Sequence, residues 1–139
     1  MSRTDKQLLD RVYKTLPTRV ACVQYIEQFR WPVRITCAVC DSPKTVPIEG
    51  GERHHCNSCD TSFSVMVRTP MQGVRVELQK WIMAVYLIVN SRKRITGREL
   101  AIRIGIDKTT ACRIIRRIDV GLLTHRELLL AIGDTDNFR

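Results

Sequence analysis

Apolar residues recur at helical spacing along both ends of the 139-residue chain, and a turn-rich stretch lies between them. In residues 4–14, Leu8, Leu9, Val12 and Tyr13 share one face, with Thr4 or Asp5 as the start signal. Pro17 breaks this helix, because its ring crowds the preceding turn and it has no amide hydrogen to donate. Thr18 caps a second helix carrying Val20, Val23, Tyr25, Ile26 and Phe29, which stops before Trp31-Pro32. Further on, Leu78, Trp81, Ile82, Val85, Tyr86 and Val89 recur at helical spacing within Leu78–Asn90. Met83, Ala84, Leu87 and Ile88 widen that stripe, so this helix is expected at the centre of a core. Thr96 caps a short helix over residues 97–104, with Glu99 at the capping-box position. Gly105 suits a turn of positive φ, and Asp107 caps a helix over residues 108–119. Leu122–Ile132 reads as a short amphipathic helix, and the end from Gly133 to Arg139 as frayed.

The middle of the chain follows period two. Thr45–Ile48 and Arg53–His55 flank the turn Glu49-Gly50-Gly51-Glu52, and Thr61–Val67 alternates with Phe63 and Val65 on one face. Four of the six cysteines interrupt these strands as Cys37-x2-Cys40 and Cys56-x2-Cys59, fifteen residues apart. Two residues between cysteines let a tight turn present both thiolates to one ion, and two such turns complete a tetrahedron for Zn2+. An iron–sulfur cluster accepts the same four ligands. A disulfide framework suits a small exported chain, and no export signal is visible. His54 and His55 precede Cys56 and are expected on a ribbon strand, beside the ligands or exposed, while Cys22 and Cys112 read as small, partly buried side chains. So small a sheet buries little apolar area, so the metal is expected to supply much of its stability. Trp31 is expected to pack this unit against the second helix.

Composition fits a folded chain, with 44% hydrophobic and 27% charged residues. The longest apolar run, Trp81–Val89, is far short of the ~20 residues of a membrane span. Cytoplasmic residence is the expectation, with no membrane partner. The net charge of +9 is uneven: residues 74–126 carry twelve basic and four acidic groups, while residues 36–73 are net −1. A basic surface of this strength attracts polyanions, nucleic acid first among them. It coincides with the pair of helices around Gly105, where Ala101 permits a close crossing and Ala111 and Ile114 hold the second helix on the first. That is a helix-turn-helix pattern, whose second helix enters the major groove. Thr109, Thr110 and Arg113 are then placed to reach base edges, with Arg113 suited to guanine O6 and N7. Arg92, Lys93, Arg94, Lys108, Arg116 and Arg117 complete the candidate DNA-binding set, mostly toward phosphates. A helical hairpin with a solvated basic face is the plainer alternative.

Phe29-Arg30-Trp31-Pro32, the two knuckles, Phe63-Ser64, Thr69, Leu78-Gln-Lys-Trp81, Ala84-Val-Tyr86 and the helix pair follow one another in an order that resembles the N-terminal region of insertion-sequence transposases that begin with a zinc ribbon. The likeness covers roughly residues 17–120 and implies binding of transposon-end DNA. Three departures stand out, one of them the run between Thr69 and Leu78. The first knuckle reads Cys37-Ala38-Val39-Cys40-Asp41 where the family has Cys-Pro-x-Cys-Gly, and Cys112 follows Ala111 where the family typically has Trp. The family's ribonuclease-H-like catalytic domain, which needs over ~100 further residues, is not expected within these 139.

The expectation is therefore an α+β chain: N-terminal helices (1–35), a small antiparallel four-cysteine zinc ribbon (36–70), an all-α helix-turn-helix unit (74–121) and a C-terminal helix and tail (122–139). Its expected activity is zinc-dependent, sequence-preferring binding of double-stranded DNA without catalysis, as a nucleoid-associated transcription regulator. The alternatives are a truncated transposase accessory on element ends, or a protein–protein adaptor whose ribbon docks the transcription machinery. Leu122–Ile132 is the candidate segment for a homodimer. Aromatics at 6% offer few stacking platforms for RNA.

Overall fold

The computed structural model describes residues 2–138. Helices α1 (Arg3–Thr15) and α2 (Arg19–Arg30) lead into strands β1 (Thr45–Ile48), β2 (Arg53–Cys56) and β3 (Thr61–Phe63). Four helices follow: α3 (Leu78–Val89), α4 (Gly97–Ile104), α5 (Lys108–Thr124) and α6 (Arg126–Ile132). The strands form one antiparallel sheet in the order β1-β2-β3, with Thr45 opposite Cys56 and Cys56 opposite Thr61.

The apolar side chains sort into two clusters. The larger gathers α1 to α6 around Trp81 and Ile82, both fully buried, and takes in Val12, Ile26, Leu100, Ile118 and Leu129. The smaller consists of Cys37, Cys56 and Phe63 in the ribbon. Trp31 touches both clusters, edge-on to Phe63 at 5.9 Å between ring centroids. The first thirty residues thus share a core with the C-terminal helices, while the sheet between them has its own.

Capping accounts for most helix starts. The Thr18 hydroxyl accepts the Ala21 amide, Thr96 accepts that of Glu99, and the Asp107 carboxylate accepts that of Thr110. Helix α1 begins earlier than Thr4 or Asp5, because Ser2 caps it by accepting the Asp5 amide at 3.1 Å. The Asp5 carboxylate instead faces Arg103 of α4, which donates to it from Nε and from Nη2 at 2.9 Å.

Expected boundaries move at three places. Strand β3 ends at Phe63 and does not run to Val67, because Val65 and Met66 turn away into the helical core while Arg30 donates to the Val65 carbonyl. Helix α5 runs past Asp119 to Thr124 and takes in Leu122 and Leu123, so the helix expected over Leu122–Ile132 starts only at Arg126, as α6. Gly121, a weak helix former, is needed there for close approach: a Cβ on it would come within 2.7 Å of both Leu129 and Pro70. The tail is not frayed through Phe138. Residues Thr135–Phe138 form a 3-10 turn, Phe138 is buried against Tyr25 and Tyr86, and Asn137 Nδ2 donates to Tyr25 Oη at 2.8 Å. Arg139 lies outside the described residues. No helix among them is long and apolar enough to cross a membrane.

Candidate functional site

The four knuckle sulfurs, from Cys37, Cys40, Cys56 and Cys59, lie within 4.8 Å of one another. Cys37 Sγ is 3.6 Å from Cys59 Sγ, and Cys40 Sγ is 3.6 Å from Cys56 Sγ. A tetrahedron with zinc–sulfur bonds of about 2.3 Å has edges of about 3.8 Å. Each knuckle turns its amides onto the first sulfur of its pair. Val39 N and Cys40 N donate to Cys37 Sγ at 3.3 and 3.4 Å, and Cys59 N donates to Cys56 Sγ at 3.5 Å. The Cys59 amide, with that of Ser58 and the neighbouring thiols, outweighs burial and draws the Cys56 thiol down to about 6. Against the Ser42 amide, burial and the crowding sulfurs push the Cys40 thiol up to about 12. Four sulfurs this close cannot all carry charge without a cation among them, and a soft tetrahedral donor set of this size fits zinc. These four cysteines form the zinc site, and the ion's contribution is structural: it joins two turns that otherwise repel.

The two knuckles repeat one backbone device. Asp41 and Asp60, each directly after the second cysteine of its pair, sit at φ 62° and 56°. Aspartate is among the few residues other than glycine that enter this left-handed region readily, which accounts for Asp41 where the resembling family has glycine. Ser42 and Ser58 join the turns through their hydroxyls at 2.7 Å.

His54 is not a zinc ligand and is not exposed. It is buried, with Nε2 3.1 Å from Glu27 Oε2 on α2, and its ring lies against Phe63. Burial raises the Glu27 carboxyl, partly offset by His54. This contact, Trp31 and the Arg19–Glu52 ion pair at 2.5 Å bridge sheet and helices. His55 stands near Ser62 at 3.2 Å and Asp60 at 3.0 Å. Cys22 is fully buried and Cys112 half-buried.

The basic residues gather around α4 and α5. Gly105, at φ 71° and ψ 49°, ends α4, and its carbonyl accepts Lys80 Nζ at 3.1 Å. Lys108, Thr109, Arg113 and Arg116 are exposed along α5, and Arg92 and Lys93 are exposed on the loop before α4. Three residues of the expected DNA-binding set are otherwise engaged. Arg94, though exposed, pairs with Asp119 at 2.8 Å. The Thr110 hydroxyl donates to Asp107 Oδ2 at 2.7 Å, and it and the Thr110 amide hold the Asp107 carboxyl below its usual range. Half-buried Arg117 donates inward to the Pro70 and Gln72 carbonyls. Arg75 was not singled out in the sequence, yet it lines the same cleft as Arg113 and Arg117. Its signals there were membership of the basic segment and its place in the run between Thr69 and Leu78 that departs from the resembling family.

A four-cysteine antiparallel sheet set beside a helical body defines a zinc-ribbon protein. The comparisons place that ribbon more narrowly: residues 17–62 match the transposase zinc-ribbon domain. The chain is also similar to an uncharacterized protein in transposable element ISH50 of Halobacterium salinarum, at 25% identity over 128 residues, covering 90% of this chain and 43% of that relative. The chain thus spans less than half the length of that relative. No solved structure matches it.

Proposed function

We propose that these residues bind double-stranded DNA, with α4, the Gly105 turn and α5 acting as a helix-turn-helix and α5 lying in the major groove. The observation that carries the reading is the exposed face of α5, where Lys108, Thr109, Arg113 and Arg116 stand clear just beyond a tight turn. Arg113 reads base edges, while Arg92, Lys93, Lys108 and Arg116 neutralise phosphates. Zinc holds the ribbon, and binding acts by occupancy, as in a regulator of transcription. The likeness to a protein in a transposable element favours a second reading, in which the DNA is an element end.

Selection of bound duplexes from a random library, followed by genome-wide mapping of bound sites, tests both. Affinity for duplex DNA falling steeply with salt is expected. Sites in promoters support the regulator, and sites in inverted repeats support element-end binding. Duplex affinity that is absent, or indifferent to salt, refutes both.

A further inference from the structure

We infer that the segment before α3, residues 72–76, is the second wall of the DNA-binding cleft and that Arg75 grips the phosphodiester backbone there, held in place by Arg117; this rests on the DNA-binding reading above. The segment is fixed at both ends. On one side Met71 is fully buried, Pro70 packs against Gly121, and Arg117 donates to the carbonyls of Pro70 and Gln72. On the other, Tyr13 donates to the Glu77 carboxylate and Leu78 is buried. Between these anchors Val74 and Val76 pack on the helical core, while Arg75 between them is exposed. An alternation of this kind sends the middle side chain away from the core.

A cleft of about 560 Å³ separates this segment from α5. Arg75 stands on one side, Thr110, Arg113 and Arg117 on the other, and no carboxylate lines it. Among the described residues Arg75 and Arg113 have neither a hydrogen-bond nor an ion-pair partner. Two free guanidinium groups facing one trough, with a third used as a strut, make a site for an extended polyanion. A DNA strand bordering the groove occupied by α5 has that chemistry. Arg117 is thus a positioning residue: it keeps Arg75 at a fixed distance from α5.

The test is fluorescence anisotropy of the full chain with its library-selected duplex and a scrambled duplex, titrated with salt. Arg75→Ala is expected to lower affinity for both duplexes alike, by about 3- to 10-fold, and to reduce the salt slope by about one. Arg75→Lys retains that slope. Arg117→Ala lowers affinity in the native background and adds little on top of Arg75→Ala, a coupling that a merely structural role would not produce. An unchanged salt slope in Arg75→Ala, while Arg113→Ala loses base discrimination, overturns the inference and leaves the DNA-binding reading standing. A native chain indifferent to duplexes overturns both.

Discussion

Stripping the metal, by chelator or by Cys37→Ser, is expected to unfold the ribbon and leave the helical body intact. The buried apolar content of the ribbon's own cluster is Cys37, Cys56 and Phe63. Full burial of a phenylalanine contributes about 1.5–3 kcal/mol, and cysteine contributes less. Contacts across the boundary add little: the Trp31–Phe63 edge contact at 5.9 Å and the His54–Glu27 hydrogen bond at 3.1 Å are each worth about 1 kcal/mol, and the exposed Arg19–Glu52 pair at 2.5 Å no more than that. A structural zinc site supplies roughly 10–16 kcal/mol at neutral pH, several times the rest. The helical cluster holds Trp81, Ile82, Leu100, Ile104 and Ile118, all fully buried, and depends on none of this. Residue-resolved hydrogen exchange with and without chelator is the assay. Amides of β1, β2 and β3 lose protection, and those of α3 and α5 keep it. Single-tryptophan variants give a second readout: emission of Trp31, at the boundary, shifts to the red, and that of buried Trp81 does not. Loss of protection in α3 together with β2, or protection of β2 that survives the chelator, refutes the reasoning.

Three other outcomes are expected. Arg113→Ala weakens DNA binding and relaxes base preference by roughly 1–3 kcal/mol, measured by competition among single-base variants of the selected site; unchanged discrimination would move the reading role to another element. Asp41→Gly relieves a side chain at φ 62° and stabilises the zinc-loaded ribbon by about 0.5–1 kcal/mol, whereas Asp41→Val destabilises it, both read from thermal melting. Burial pushes the Asp5 carboxyl up, but the Arg103 fork outweighs it and holds the group below its ordinary value of 3.8. Its contribution is therefore fully present above that value and lost as pH falls through the lower folded one, so Asp5→Asn flattens the acid limb of a stability–pH curve below about pH 4; an unaltered limb contradicts the pairing.

The zinc ligands and the helix caps were legible in the sequence because each is a local device. Cys-x2-Cys fixes a turn within four residues, and Thr18, Thr96 and Asp107 each bond an amide three residues on. The errors came from residues whose local preference was overruled by distant partners. The helix expected to stop at Asp119 continues to Thr124, through Gly121, around which Pro70 and Leu129 close. Val65 fits a strand alternation, but the helical core takes it. Phe138 sits in a polar tail, yet the rings of Tyr25 and Tyr86 bury it. The basic set was legible as a composition and not as a surface. Charge counting cannot distinguish Arg113, which is exposed, from Arg117, which folds back onto two carbonyls, nor find Arg75 across the cleft.

The placement of Val65 and Met66 also decides what zinc can control. These residues follow β3 by only two positions but belong to the helical core, and Arg30 secures the Val65 carbonyl there. The chain therefore passes from the ribbon cluster into the helical core between Phe63 and Val65, and Val67 turns back onto the ribbon cluster. In the fold, α4 and α5 pack on each other and on α3, α4 also meets α1, the Asp5–Arg103 fork ties α1 to α4, and Lys80 holds the turn at Gly105. Chelation should then remove whatever contacts the ribbon itself makes with DNA and leave the reading face in place. Affinity for the selected and scrambled duplexes is expected to fall by the same factor, with their ratio unchanged, because discrimination resides in α5 and the absolute affinity is shared. Measuring both affinities in chelator settles the point. A collapse of the ratio would mean that the metal-bound sheet orients α5 after all, and that two separate apolar clusters do not imply two independently folded functions.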